Sequence, residues 1–190
     1  MKSIFEVRWH GRGGQGAKTA AQFLAEAALD AGKFIQAFPE YGPERAGAPI
    51  KAYTRISETP INIHSGVTNP EIVVVIDPTL LDSVGVTDGL DKDGVLIVNT
   101  TQTPEEIRKK TGFKSGRVAT CDATKIALET LGLPMPNTPM LGALLKVEQI
   151  VPIKKVEDQV RHKFSKKIGP EKTEANIKAI NRAYNEVGIG

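Results

Sequence analysis

Ile72-Val73-Val74-Val75-Ile76 is an unbroken run of five β-branched residues. It is far short of the about 20 apolar residues that cross a bilayer, and it has no polar face to show to water. Such a run predicts a strand buried on both sides, the habit of parallel sheets clad by helices. Gly94-Val95-Leu96-Ile97-Val98 repeats the pattern, and Val118-Ala119-Thr120 is a shorter version. Helical segments fall between these runs, near 79–83, 104–111 and 123–131. Strand–helix alternation of this kind builds layered α/β sheets with right-handed crossovers.

The N-terminal part adds three strands and a helix. Ile4 to His10 alternates at period two and runs into glycines, so it reads as the first strand; Met1 to Glu6 carries no apolar signal region before an acidic residue, the start expected of a cytosolic protein. Residues 15–31 are Ala-rich, with Ala17, Ala20, Ala21, Leu24, Ala28 and Leu29 on one stripe, and Gly32 stops the helix. Phe34 to Phe38 is a second strand, stopped by Pro39. Ile50 to Ile56 alternates, so one of its faces is polar or edge-like. The last third carries three helical patterns, near 139–149, 153–167 and 171–187, with Ile177, Ile180, Tyr184 and Val187 on one stripe of the last. The expected fold is α/β: a Rossmann-like layered sheet, mostly parallel, with helices on both faces and a helical C-terminal segment over about 137–190. The 190 residues, 40% of them hydrophobic, suit a single domain spanning 1–190, with the Pro-containing stretch 133–139 as a loop inside it.

Composition removes several function classes. A lone cysteine, Cys121, cannot form an intramolecular disulfide, nor hold an iron–sulfur cluster alone, which takes about four thiolates. His10, His64 and His162 have no metal-ligand spacing. No Ser/His/Asp, Cys/His or paired-carboxylate pattern is present, so no catalytic residue and no metal site is assigned. Cys121 precedes Asp122 and has no neighbouring cation to make it a nucleophile, which favours a structural role. Charge is uneven: net +3 over residues 1–56, −4 over 57–143 and +4 over 144–190. The basic tail is either a solvated helical surface or a face for an anionic partner. Nucleic acid lacks a motif, and aromatics at 5% are too few for a stacking platform. No segment suits a membrane.

Three stretches can carry binding. Gly11-Arg12-Gly13-Gly14-Gln15-Gly16 follows the first strand and opens the first helix. Glycines there permit a tight turn and the close approach of a phosphate to free helix N–H groups. A dinucleotide site also needs an acidic residue at the end of strand two. Only Glu40 can supply it, and it lies beyond Pro39. A P-loop fails because Ala17 stands where the lysine belongs, and Lys18 is turned about 100° away on the helix. Tyr41-Gly42-Pro43-Glu44-Arg45-Ala46-Gly47 is a Pro-stiffened loop in which Arg45, oriented by Glu44, can clamp a phosphate or carboxylate; a plain surface turn with a weak ion pair is the alternative. Asn137-Thr138-Pro139 reads as a helix start, with Asn137 or Thr138 as N-cap and Pro139 in the first turn.

Six stretches occur in a telling order: Trp9 to Gly16, Tyr41 to Gly47, Arg55-Ile56-Ser57 with Pro60-Ile61, Val75-Ile76-Asp77, Val98-Asn99-Thr100, and Asn137-Thr138-Pro139-Met140-Leu141-Gly142. Together they resemble the gamma subunits of the 2-oxoacid:ferredoxin oxidoreductases, most closely the pyruvate type, over residues 3 to about 185. The resemblance implies a subunit of an oxidoreductase that converts pyruvate, coenzyme A and oxidised ferredoxin to acetyl-CoA, carbon dioxide and reduced ferredoxin. Thiamine diphosphate, Mg²⁺ and [4Fe–4S] clusters would lie in partner alpha, beta and delta subunits, with coenzyme A as co-substrate and no cofactor held by this chain alone. The residues implied at a cofactor or subunit interface are Gly11, Arg12, Gly13, Gly14, Gln15, Gly16, Tyr41, Gly42, Glu44, Arg45, Asn137 and Thr138. Ala46 departs from the family, where a second Arg or Gly is common. Branched-chain, 2-oxoglutarate or indolepyruvate complexes are the neighbouring alternatives, and a free-standing dinucleotide-binding protein is the distant one.

Overall fold

The computed structural model describes residues 4–40 and 47–190. Its strands are β1 (Ile4–Arg12), β2 (Phe34–Glu40), β3 (Pro49–Ser57), β4 (Ile72–Val75), β5 (Val95–Asn99), β6 (Arg117–Cys121) and β7 (Gly188–Ile189). They form one sheet in the order β2-β3-β1-β4-β5-β6-β7. β1, β4, β5 and β6 are mutually parallel; β3 is antiparallel to both β1 and β2, and β7 is antiparallel to β6. β1, β2, β4, β5 and β6 therefore point one way, and only β3 and β7 point the other. The sheet is mostly parallel, as the buried runs predicted. The fully buried Ile72–Val75 is its central strand.

Among the described residues the α-helices are α1 (Ala17–Leu29), α2 (Pro104–Thr111), α3 (Ala123–Leu131), α4 (Asn137–Val147), α5 (Ile153–Ile168) and α6 (Pro170–Glu186). One sheet face presents Val7, Trp9, Ala52, Ile72, Val74 and Ile97 to a core shared with α1 and α4. The other presents Val73, Val75, Leu96, Val98 and Val118 to Leu80 of a short 3-10 turn (Pro78–Asp82) and to Ile107 of α2. Large side chains such as Trp9 and Leu24, with no exposure, each contribute roughly 1.5–3 kcal/mol by leaving water. Helices α5 and α6 lie outside α1 and α4 as a further layer. That layer needs Gly142, where an added Cβ would meet the Ile180 carbonyl oxygen.

Three boundaries differ from the sequence reading. β2 continues through Pro39 to Glu40 because it is an edge strand, where a missing N–H breaks no ladder. β3 is not an edge, although Lys51, Tyr53 and Arg55 share a face. Tyr53 and Arg55 are buried, and Arg55 is held there by Glu6 (2.7 Å), Gln36 (3.1 Å) and the carbonyl of Gly66 (3.3 Å). The fourth helix starts at Asn137 with Pro136 before it, so neither Asn137 nor Thr138 is its cap.

Candidate functional site

The glycine-rich segment divides between two elements. Gly11 and Arg12 still belong to β1, paired with Ile50 and Pro49 of β3. The turn proper begins at Gly13, whose N–H donates to the Ala48 carbonyl at 3.0 Å. Gly14 (φ 97°) and Gly16 (φ 81°) take left-handed backbone angles that other residues adopt only at a cost. Gly16 then precedes α1 as an N-cap with no side-chain cap, leaving the helix's first N–H groups open.

Side chains lock this turn to the end of β4. The Gln15 amide accepts from Arg12 N–H (2.7 Å) and donates to the Asp77 carboxylate (2.6 Å). Asp77 also accepts from Thr79 through backbone N–H (2.9 Å) and hydroxyl (2.6 Å). The Arg12 guanidinium donates to the Thr79 hydroxyl (2.9 Å) and the Gly47 carbonyl (3.2 Å), and lies 3.3 Å from Asp77. Burial opposes ionisation of Asp77. The hydrogen bonds from Thr79 and Gln15, with Arg12 beside them, overcome it and hold the carboxyl below its ordinary range. Asp77-Pro78 looked like any strand-end loop in the sequence; the Asp-x-Thr pattern of a side chain capping its own turn was the signal to read.

The opposite region brings Asn137 to the same turn. An added Cβ on Gly16 would sit 2.5 Å from the Asn137 amide nitrogen. Thr138, fully buried, donates to Asn176 of α6 at 2.9 Å and belongs to the α4–α6 packing. Tyr41, Gly42, Glu44 and Arg45 lie outside the described residues, between β2 and the Gly47–Ala48 turn that Arg12 and Gly13 contact. Of the twelve residues that sequence brought forward, Gly11 to Gly16 and Asn137 thus share one neighbourhood.

A cavity of about 790 Å³ opens beside Gly14, Gly16 and Asn137. Leu131, Leu133 and Met135 line one side; Phe164, Ile168 and Lys172 line the other. Sequence reasoning passed over these residues, because they come together only when the chain between α3 and α4 meets the α5–α6 hairpin.

The geometry argues against a dinucleotide fold. In that fold the acidic strand lies next to β1. Here β3 separates β2 from β1, and Glu40 accepts from the Tyr53 hydroxyl, with Lys51 at 3.9 Å. His10 is also buried. Its Nε2 accepts from Arg8 Nε at 3.0 Å, and burial, with Arg8 and Lys51 nearby, lowers its pKa to about 3. Burial pushes the Cys121 thiol up to about 12, with Glu186 and Asp122 adding to it, so it is no nucleophile. Among the described residues no three His, Cys, Asp or Glu side chains gather as a metal set, and no helix is long and apolar enough to cross a membrane.

Comparison with known proteins identifies the relatives of this arrangement. The family model for pyruvate ferredoxin/flavodoxin oxidoreductase matches residues 6–186. Pyruvate synthase subunit PorC of Thermotoga maritima is 54% identical over 98% of this chain and 96% of its own length. The common gamma subunit of the pyruvate/ketoisovalerate oxidoreductases of Pyrococcus abyssi is 50% identical over 98% of both chains. The crystal structure of the Thermotoga maritima subunit superposes with a TM-score of 0.89 at 50% identity, covering 100% of this chain and 99% of that one. The chain therefore belongs to the pyruvate ferredoxin/flavodoxin oxidoreductase family, as a gamma-type subunit.

Proposed function

We propose that this chain is the gamma subunit of a cytoplasmic pyruvate synthase assembled with alpha, beta and delta subunits. The whole complex takes pyruvate, coenzyme A and oxidised ferredoxin to acetyl-CoA, carbon dioxide and reduced ferredoxin. The observation that carries this reading is the half-identical match, over nearly full length, to chains named as subunits of that oxidoreductase. Thiamine diphosphate with Mg²⁺ supplies the carbanion chemistry and [4Fe–4S] clusters the electron path, both from partner chains. The single cysteine of this one supports that division.

The chain's own contribution is a rigid polar turn. Arg12, Gly13, Gly14, Gln15 and Gly16 stand where β1 meets α1, held by Asp77 and Thr79. A helix start with open N–H groups and an arginine suits an anion: the phosphorylated arm of coenzyme A, or a carboxylate on a partner subunit. Arg45, outside the described residues, is proposed with it because the sequence pattern brought it forward. Substrate choice then belongs to the thiamine-bearing partners, because no residue of the turn is shaped to read an acyl side chain.

The Pyrococcus abyssi relative supports a second reading, since it is named as common to pyruvate and ketoisovalerate oxidoreductases. A gamma chain of this type can serve more than one complex. Purified holocomplex assayed with pyruvate and with 2-ketoisovalerate separates the readings. Activity on pyruvate alone supports the pyruvate synthase. Two partner sets sharing this chain, one for each substrate, support the common subunit.

A further inference from the structure

We infer that the cavity beside Asn137 is a docking groove for a segment of a partner subunit that carries an apolar side chain with a carboxylate next to it. This rests on the reading of the chain as a subunit, and it names the surface that the subunit uses.

One end of the groove suits an anion. α1, α4 and α6 each start without a side-chain cap, at Gly16, Pro136 and Gly169, and residues of all three first turns line the groove. Asn137 is 5% exposed, yet its amide makes no hydrogen bond to any described residue and faces the groove. That amide opens onto the groove rather than being sealed in the core, so an occupant of the groove can complete its hydrogen bonds. The Lys172 ammonium, at the rim, has no ion-pair or hydrogen-bond partner among the described residues, although its backbone carbonyl accepts from Asn176; Arg161 and Arg182 of the same helical layer are matched by Glu174 and by Glu129 and Glu186. Glu171 also lines the groove and offsets part of that charge. Lys166 and Lys167 stand in the last turn of α5, the turn that gives Ile168 to the groove.

The wall of the groove is apolar. Eight large apolar side chains are exposed among the described residues, and Leu133 (60%), Met135 (38%) and Ile168 (38%) of them line this groove. Clustering of that kind marks an interface that assembly covers. A small ligand inside the groove would leave Leu133 in water, because it stands on the lip. A protein segment covers lip and groove together, and a carboxylate on it meets Asn137 and the three helix starts. The occupant is thus complementary in charge to the basic C-terminal third.

The test uses the holocomplex, co-expressed and purified without oxygen. Leu133→Asp puts a charge on the exposed lip, where the fold does not depend on it. Asn137→Asp is isosteric and sets a carboxylate against the incoming one. Leu29→Asp, at another exposed leucine (54%), is the control. The expected result is that wild type and L29D stay assembled on dilution. L133D and N137D release this chain with a dissociation constant raised at least about tenfold, while the released chain keeps its helical circular dichroism. Full retention of L133D in the complex overturns the proposal. Binding of ADP or octanoate to the assembled wild-type complex, abolished by L133D, also overturns it, since the groove would then be an open ligand pocket. Failure of the wild-type chain to join any partner refutes the subunit reading instead, so the two failures are distinct.

Discussion

The Gln15 amide donates to the Asp77 carboxylate at 2.6 Å, joining positions 62 residues apart in sequence. One hydrogen bond thereby ties the turn after β1 to the turn after β4, the adjacent parallel strand. Gln15 also accepts from its own turn at Arg12, and Asp77 caps its own turn at Thr79. Each side chain is thus fixed locally before it reaches across. The shape of the polar turn is set by this pair as much as by the glycines, and variation at either partner is expected to move the whole turn.

Replacing Asp77 with Ala removes an N-cap and the acceptor for Gln15. The expected loss of stability is about 1–3 kcal/mol, read from urea unfolding at pH 7. Because the folded carboxyl is held below its ordinary value, its contribution is complete above about pH 4 and fades as pH falls through the lower folded value. Wild type and D77A should therefore converge in stability on strong acidification. A gap that stays constant down to pH 2 would show that the charge of Asp77 is not what stabilises the turn.

Gly16 is under two constraints that can be separated. A side chain there must accept a left-handed backbone, and its Cβ must displace Asn137. Gly16→Ala is expected to cost at least about 1–2 kcal/mol from the backbone alone, and more from the collision. In a double-mutant cycle, adding Asn137→Ala should recover only the collision part. Full recovery would mean that the backbone angle is not limiting, and no recovery that the two residues do not touch.

His10 carries a pH signature of the buried polar face. Its folded pKa is about 3, against about 6.5 when unfolded. Below pH 6.5 the unfolded chain takes up the proton first, so stability falls on acidification down to about pH 3, by at most about 1.4 kcal/mol per unit. Above pH 6.5 the group adds no slope. His10→Gln keeps an acceptor for Arg8 and should flatten that part of the stability curve. Nuclear magnetic resonance of the imidazole should show no titration between pH 8 and 5.

The sheet was legible because its evidence is local. Ile72 to Ile76 and Val95 to Val98 announce strands buried on both faces, and helical segments near 104–111 and 123–131 fall between or after them. The placement of β3 between β1 and β2 was not legible. Lys51, Tyr53 and Arg55 suggest a wet face, and only the tertiary partners Glu6, Gln36 and Gly66 show how the buried Arg55 is satisfied. Of the candidate site, the glycine turn was visible from its angles and spacing. Asn137 was visible for the wrong reason, as a cap. Leu133, Met135, Ile168 and Lys172 carry no motif, since a groove assembled from three distant segments leaves no periodic trace in sequence.

The most direct test of the account is an omission experiment. Alpha, beta and delta chains are purified anaerobically with and without this one, and pyruvate- and coenzyme A-dependent reduction of a viologen dye is measured. The three-chain preparation is expected to be nearly inactive, and adding this chain to restore turnover at a one-to-one ratio with the others. Equal activity with and without it, or the failure of this chain to enter the complex, would contradict its assignment as a working gamma subunit.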